Sequence, residues 1–82
     1  MKHELKIDPR YLAALLSGEK TFEIRLNDRI YQSGDVLEFH DDDKCNFANP
    51  CVGLEQFEIT YVHSGLGLAP NYVALAVQQV EP

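Results

Sequence analysis

The chain has few cysteines and no long apolar run, and each of these features argues against one class of protein. Its 82 residues include two cysteines, Cys45 and Cys51, with five residues between them. Small secreted domains usually need several disulfides to compensate for a small core, so we expect reduced thiols here. No apolar stretch reaches the length of a membrane span or a signal-peptide core. We therefore expect a single soluble, cytoplasmic domain over residues 1–82, without a membrane partner.

Cations are also scarce, with seven Lys and Arg against thirteen Asp and Glu and a net charge of -6. Nonspecific affinity for nucleic acid depends on cations that replace counterions, so the chain is not a general polyanion binder. The charge is uneven, because residues 1–29 carry six cations against five acids and residues 30–82 carry one against eight. This asymmetry predicts a locally positive side; the alternative is that the acids only keep a small protein soluble.

The first third of the chain predicts a strand followed by a helix. Residues 2–7 alternate weakly, as in a short strand. Asp8 followed by Pro9 is a helix-start signal, because the carboxylate can cap free amides and proline needs no amide hydrogen in the first turn. Gly18 can take the left-handed conformation that ends a helix. We expect the apolar stripe of this helix to lie against a sheet; it comprises Tyr11, Leu12, Leu15 and Leu16.

The segment from Gly18 to Arg25 contains the most probable site. Phe22 and Ile24 alternate with polar residues, and this period of two predicts a strand with Phe22 and Ile24 in the core. Glu23 and Arg25 would then be neighbours on the polar face, with Lys20 at the start of the strand. A cation held beside a carboxylate on a fixed strand can orient a polar ligand. The alternative is an ordinary surface ion-pair network without function.

Three further strands are indicated downstream. A turn at residues 33–35 precedes an alternating segment over 36–39, and residues 57–61 alternate with Phe57, Ile59 and Tyr61 inward. Residues 72–77 are apolar on both faces, which is typical of a central strand. Residues 40–53 lose periodicity and are predicted to form a long surface loop. One helix and five short strands predict an α+β, mostly β fold, closed as a small, partly open barrel.

The predicted surface loop contains several residues of types that bind metals. They are His40, Asp41, Asp43, Cys45 and Cys51, with His63 as a further candidate. Their spacing supports no metal site, because Cys-x-x-Cys is absent and Asn46 and Val52 stand where a calcium loop needs glycine and glutamate. Gly65-Leu66-Gly67 lacks the third glycine of a nucleotide loop. We therefore expect no metal and no cofactor.

Three motifs together resemble a known family. They are Gly18-Glu19-Lys20 with Arg25 five residues after the lysine, Asn27-Asp28-Arg29, and Gly34-Asp35-Val36 at the start of a strand. The chain resembles the ASCH family, the activating-signal-cointegrator homology domains of the PUA-like superfamily. More narrowly, it is similar to a compact bacterial and phage branch that opens with a His-x-Leu-Lys-Ile strand, here residues 3–7. The resemblance implies a PUA-like five-stranded mixed β-barrel, with one helix between strands 1 and 2.

The resemblance also implies a cleft beside the helix, into which Lys20 and Arg25 project, and an association with RNA or modified nucleosides. Some ASCH members are amidohydrolases of acetylated cytidine that use a threonine three residues after the lysine as nucleophile. Glu23 occupies that position here, and residues 64–70 are too short for the insert that brings the assisting acid. The resemblance therefore favours a module without catalytic residues.

The resulting hypothesis is a PUA-like module that binds RNA, a nucleotide or a modified nucleoside. Its expected ligand-binding residues are Lys20, Glu23, Arg25, Arg29 and Tyr31, with Glu23 bound to a base edge and Tyr31 available for stacking. One alternative is a hydrolase of acylated nucleosides, with Lys20 as base and Thr21 or a water as nucleophile. Another is an interaction protein that uses the acidic loop at residues 40–44. A monomer or a weak dimer is expected.

Overall fold

A computed structural model describes residues 1–41 and 55–80 of the chain. These residues form five strands and one helix, in the order β1 (Lys2–Ile7), α1 (Pro9–Ser17), β2 (Phe22–Leu26), β3 (Val36–Asp41), β4 (Glu55–Ser64) and β5 (Tyr72–Gln79). The predicted mostly β fold, with one helix between the first two strands, is confirmed. Residues 42–44 of the acidic loop, Cys45 and Cys51 lie outside the described residues, as does most of the loop predicted at 40–53.

The five strands form one mixed sheet in the order β1-β3-β4-β5-β2. β1 runs parallel to β3, and the other neighbouring pairs are antiparallel. The sheet curves into a half-barrel with β1 and β2 as its edge strands. β5 lies between β4 and β2, which confirms the prediction of a central strand.

The core fills the inside of the half-barrel. Its strand residues are Leu5, Ile7, Leu37, Phe39, Phe57, Ile59, Val73 and Leu75, to which α1 adds Leu15 and Tyr31 comes from the segment before β3. Within α1, Leu15 is buried and Leu12 packs against the core, whereas Tyr11 and Leu16 are 51% and 41% exposed. The prediction that the whole stripe faces the sheet is therefore wrong for Tyr11 and Leu16, because a helical turn places them at the two margins of the stripe.

The predicted orientation of β2 is wrong. Phe22 and Ile24 are 45% and 49% exposed, whereas Glu23 is buried. Glu23 lies opposite Leu75 of β5, a core residue, and directly opposed residues share a face of the sheet. The period of two identifies which residues share a face, but it does not say which face is inside. In β2 the polar residues point inward.

A bulge changes the face that Tyr61 occupies. Ile59 pairs with Val77, but Tyr61 pairs with Ala76, so β4 has one extra residue at Thr60. Tyr61 is therefore 64% exposed, and the prediction that it lies inward is wrong. A bulge places two residues of one strand opposite one residue of its neighbour, which reverses the alternation beyond it.

Both predicted ends of the helix are confirmed. The Asp8 carboxylate accepts a hydrogen bond from the Arg10 backbone N–H at 2.8 Å and a second from its guanidinium at 2.8 Å. These bonds lower the pKa of Asp8 to about 2. Gly18 has φ 85°, and its N–H donates to the Leu15 carbonyl at 3.3 Å. In the described parts of the chain, no helix is long and apolar enough to cross a membrane.

The left-handed conformation of Gly18 gives a test of the turn that leads into β2. Replacement by alanine is expected to lower the free energy of unfolding by about 1 kcal/mol, because a Cβ disfavours this conformation. A Cβ at this position would meet nothing within 4 Å, so the effect is conformational rather than steric. Gly18→Asn should lower the free energy of unfolding by less, since asparagine tolerates the left-handed conformation. Urea unfolding measures both variants, and equal losses for alanine and asparagine would contradict the assignment.

Candidate ligand-binding site

The turn after α1 fixes Lys20 at the start of β2. The Lys20 backbone N–H donates to the Ala14 carbonyl at 3.0 Å, which ties the turn to the helix. The Lys20 ammonium lies 4.2 Å from the centre of the Tyr11 ring, within the range of a cation–π contact. Its side chain is 19% exposed. Helix and turn together therefore hold this cation in one place, as the sequence predicted for a residue at the start of the strand.

Glu23 joins two of the predicted site residues. Its Oε1 accepts a hydrogen bond from Lys20 Nζ at 2.6 Å, and its Oε2 accepts one from Arg25 Nε at 3.0 Å. The Glu23 side chain is 6% exposed, whereas a typical surface ion pair is solvated. A carboxylate buried to this degree is held in the folded protein by its partners, and removing either partner would leave an uncompensated charge. The three residues, here called the Lys20–Glu23–Arg25 cluster, carry a net charge of +1.

Arg25 also connects the two edge strands. Its Nη2 donates to the Lys6 carbonyl on β1 at 2.7 Å, so one guanidinium contacts Glu23 and the opposite edge of the half-barrel. The guanidinium carbon lies 5.8 Å from the centre of the Phe39 ring. The Arg25 Nη1 group makes no hydrogen bond within residues 1–41 and 55–80, and its two N–H groups remain available to an acceptor.

A cleft of about 440 Å³ opens beside Arg25, between the edge strands and the segment before β3. Its charged lining comprises the cations Lys6, Arg25 and Arg29 and the acids Glu4 and Asp28. The lining is therefore net positive, although the whole chain has a net charge of -6. Arg29 is exposed and has no ion-pair partner in the described part of the chain. The asymmetry of charge seen in the sequence thus corresponds to a cleft with a local excess of cations.

Tyr31 forms a wall of this cleft rather than a free stacking surface. It is 5% exposed, and its ring meets the His3 ring edge-on at a centroid distance of 4.9 Å. Its backbone N–H donates to Asn27 Oδ1 at 3.2 Å, which fixes the loop after β2. Burial raises the pKa of the Tyr31 phenol. Tyr31 therefore presents a rigid, uncharged surface to the cleft.

Lys20 and Arg25 are connected through Glu23 but do not line the same depression. Lys20 lines a separate, smaller one of about 360 Å³, together with Tyr11, Phe22, Glu23 and Ile24. Of the five predicted site residues, the structure brings Arg25, Arg29 and Tyr31 to one cleft. Glu23 lies behind that cleft, and Lys20 is on the far side of Glu23 from Arg25.

The sequence reasoning missed a buried polar pair behind Tyr31. His3 Nε2 donates to Asp35 Oδ2 at 2.9 Å, and the Gln32 backbone N–H donates to the same oxygen at 3.1 Å. The hydrogen bond from His3, with smaller contributions from Gln32 and the amino group of Met1, lowers the pKa of Asp35. The sequence did contain a signal for this pair. His3 is two residues before Leu5 and four before Ile7, so all three side chains lie on the same, buried face of β1.

His40 is a second residue that the predicted site did not include. It lines the cleft, and its Nδ1 is buried without a hydrogen-bond partner in the described residues. Within those residues, no group of three or more His, Cys, Asp or Glu side chains is placed to hold a metal ion. The candidate ligands Asp43, Cys45 and Cys51 are outside them. The described part of the site is therefore built from cations, one buried carboxylate and an aromatic wall.

Comparison with known proteins finds a family that covers nearly the whole chain. The family described as Domain of unknown function (DUF3850) matches residues 2–77. This range contains every residue of the Lys20–Glu23–Arg25 cluster and of the cleft. No curated protein matches the chain. Because the match extends from β1 into β5, the protein belongs to the DUF3850 family.

Proposed function

We propose that this domain is a noncatalytic module, related to the ASCH domains of the PUA-like superfamily, that binds RNA, a nucleotide or a modified nucleoside. The observation that carries the proposal is the net positive cleft beside Arg25, in a chain that is otherwise acidic. The half-barrel, with a helix between its first two strands, has the element order that this relationship implies. The motif residues Arg25 and Arg29 both line the cleft.

The size of the cleft favours a single nucleotide or one residue of a short single strand. Its volume of about 440 Å³ falls in the usual range of small-ligand sites, roughly 300–1,000 Å³. In this arrangement the phosphate binds Arg29 and the Nη1 group of Arg25, because a guanidinium matches phosphate geometry. The base lies against the Tyr31 wall. The overall charge of -6 opposes the long-range attraction of a polyanion, so recognition depends on these local contacts.

Glu23 has a positioning role in this proposal. Both of its oxygens bind cations and its side chain is 6% exposed, so it holds Arg25 in place rather than binding a base edge. A fixed guanidinium loses less conformational entropy when a ligand binds than a mobile one does. Lys20 contributes indirectly to holding Arg25 in place, because it binds the other oxygen of the Glu23 carboxylate.

The geometry does not favour the hydrolase alternative. Lys20 Nζ donates to the Glu23 carboxylate at 2.6 Å, so this side chain is engaged in holding Glu23, whereas a general base must reach the proton that it removes. In the described residues no hydroxyl group donates a hydrogen bond to Lys20. The hypothesis that the acidic loop binds a partner stays a prediction, since residues 42–44 are outside the described part of the chain.

The proposal predicts that Arg29→Ala weakens nucleotide binding about tenfold, because one charge-assisted hydrogen bond contributes about 1.4 kcal/mol or more. Arg10→Ala is the matched control: it removes the same charge, but Arg10 pairs with Asp8 at the start of α1 and does not line the cleft. Calorimetric titration with nucleoside 5′-monophosphates and a short single-stranded RNA, at low and at physiological salt, measures the difference. The salt dependence of RNA binding should also decrease in Arg29→Ala.

Two outcomes of this titration would contradict the proposal. One is the absence of binding by the unmodified domain to the nucleotides and to the RNA. The other is equal affinity of Arg29→Ala and Arg10→Ala, which would place the ligand outside the cleft. Because Arg29 is exposed and unpaired in the described residues, its replacement should leave the fold intact. A circular dichroism spectrum of each variant checks this.

A further inference from the structure

The inverted orientation of β2 has a second consequence on the outside of the sheet. Because Glu23 and Arg25 point inward, the apolar residues Phe22, Ile24 and Leu26 point outward. They are 45%, 49% and 48% exposed. A surface strand normally presents polar side chains to water, so three large apolar side chains in succession on an outer face need an explanation.

The neighbouring strands extend this apolar surface. On β5, Ala76, Ala74 and Tyr72 lie opposite the three apolar residues of β2, and Tyr61 of β4 lies opposite Ala76 on the other side. Tyr61 is outward because of the bulge at Thr60. We call this surface the outer face; its residues are Phe22, Ile24, Leu26, Tyr61, His63, Tyr72, Ala74 and Ala76. Three adjacent strands contribute to it.

The area of the outer face is at the lower limit for a specific protein interface. Its five large side chains are between 42% and 64% exposed. At roughly 150–200 Å² for each fully exposed large side chain, they offer about 400–500 Å² per copy. Two copies would bury about 800–1,000 Å² in total, close to the roughly 1,000 Å² that separates specific interfaces from incidental contacts. Monomeric proteins rarely expose a contiguous apolar patch beyond a few hundred Å².

The distribution of charge on the surface indicates which molecule binds the outer face. No residue of the outer face is charged, whereas the chain as a whole carries -6. Two copies repel each other wherever acidic surfaces meet, so an uncharged face is where they can approach without that cost. Lys20 borders this face, with its ammonium 5.6 Å from the centre of the Phe22 ring, but it already donates to Glu23 at 2.6 Å. It is therefore not free to neutralise the phosphates of a nucleic acid strand that stacks on these rings.

We propose that the outer face is the interface of a weak homodimer, in which the β2–β5–β4 surfaces of two copies pack against each other. The same patch serves both copies, as a twofold interface requires. This inference does not rest on the proposed function, because it uses the exposed apolar residues of β2, β4 and β5 rather than the cations of the cleft. Leu26 belongs to both surfaces, since it also lines the cleft beside Arg25, so the dimer interface and the cleft meet at this residue.

Sedimentation equilibrium over a concentration series from micromolar to millimolar tests the proposal. The apparent mass of the unmodified domain should rise from 9.3 kDa towards twice that value. Ile24→Lys should weaken dimerisation at least tenfold, because it places two charges in an apolar contact. Ile30→Lys is the matched control, since Ile30 is 73% exposed but belongs to the loop between β2 and β3. This control should dimerise like the unmodified domain.

Tyr61→Lys provides a second variant on a different strand, and thermal melting at low concentration confirms that each variant is folded. An unmodified domain that stays monomeric throughout the series would overturn the proposal. Dimers that persist equally in folded Ile24→Lys and Tyr61→Lys would also overturn it. A third contrary outcome is a monomeric domain whose Phe22 and Tyr61 NMR signals shift when a short RNA is added, which would make the face a stacking surface for bases.

Discussion

Glu23→Gln is expected to lower the free energy of unfolding by about 3 kcal/mol, which is a large part of the stability of a domain this small. The substitution keeps the shape of the side chain but removes the charge that two cations share. Lys20 and Arg25, 19% and 23% exposed, would then face each other without a carboxylate between them. The size of the loss therefore reflects two partly buried charges left without their partner, rather than one lost hydrogen bond.

Urea unfolding measures this loss, with Glu4→Gln as the matched control. Glu4 is also on a strand, but it is exposed and has no hydrogen-bond partner among the described residues, so its replacement should change stability by less than about 0.5 kcal/mol. The double variant Lys20→Met/Glu23→Gln should be less destabilised than the sum of the two single variants, since it removes an unpaired charge. If Glu23→Gln were as stable as Glu4→Gln, the carboxylate would be solvated and the cluster would be an ordinary surface network.

Asp35→Ala is expected to lower the free energy of unfolding by about 2 kcal/mol at neutral pH, because it leaves His3 and the Gln32 N–H without their buried acceptor. The effect should depend on pH. The folded-state pKa of Asp35 is lowered from 3.8, mainly by His3. A lowered folded pKa means that the carboxylate contributes full stability above the unfolded value, and that this contribution is lost as the pH falls through the folded value.

The difference in stability between the unmodified domain and Asp35→Ala should therefore be constant near neutrality and shrink below about pH 4. Urea unfolding at a series of pH values measures it. Asp28→Ala is the control, since Asp28 is exposed and accepts no hydrogen bond in the described residues. A difference that stays unchanged into strong acid would show that Asp35 acts by packing alone. Because His3 supports the Tyr31 ring, Asp35→Ala should also weaken nucleotide binding in the cleft.

Arg25 connects the stability of the fold to the candidate site. β1 and β2 are edge strands, and unpaired edges are liable to associate with other chains. The Arg25 guanidinium spans the gap to the Lys6 carbonyl at 2.7 Å and is itself held by Glu23. One side chain thus joins the edges of the half-barrel and lines the cleft. A ligand phosphate would bind where the structure is already fixed, which lowers the entropic cost of binding.

Several elements were predictable from the sequence because their determinants are local. Asp8 and Pro9 define the start of α1, and Gly18 defines its end, through contacts within four residues along the chain. The apolar run at 72–77 predicted a central strand, and β5 lies between β4 and β2, although only its inward residues Val73 and Leu75 are fully buried. Of the five predicted site residues, Arg25 and Arg29, which belong to motifs, and Tyr31, chosen for its position in a loop, line one cleft, whereas Lys20 and Glu23 do not.

Other features could not be predicted, because they depend on residues far apart in the chain. His3 and Asp35 are separated by 32 positions and meet only when β1 pairs in parallel with β3. Tyr61 faces outward because of a single extra residue in β4, which the alternation of the sequence does not reveal. The separation of Lys20 and Arg25 into two depressions follows from the position of Glu23 between them.

The sequence by itself determined the order of the elements, the ends of the helix, the acidic net charge and the two-residue period of each strand. These depend on neighbours along the chain. The tertiary structure alone decided that Glu23 and Arg25 point inward while Phe22 and Ile24 point outward. A period of two defines two faces that are equivalent until a strand is paired, and the register of β2 against the core residues of β5 removes that equivalence.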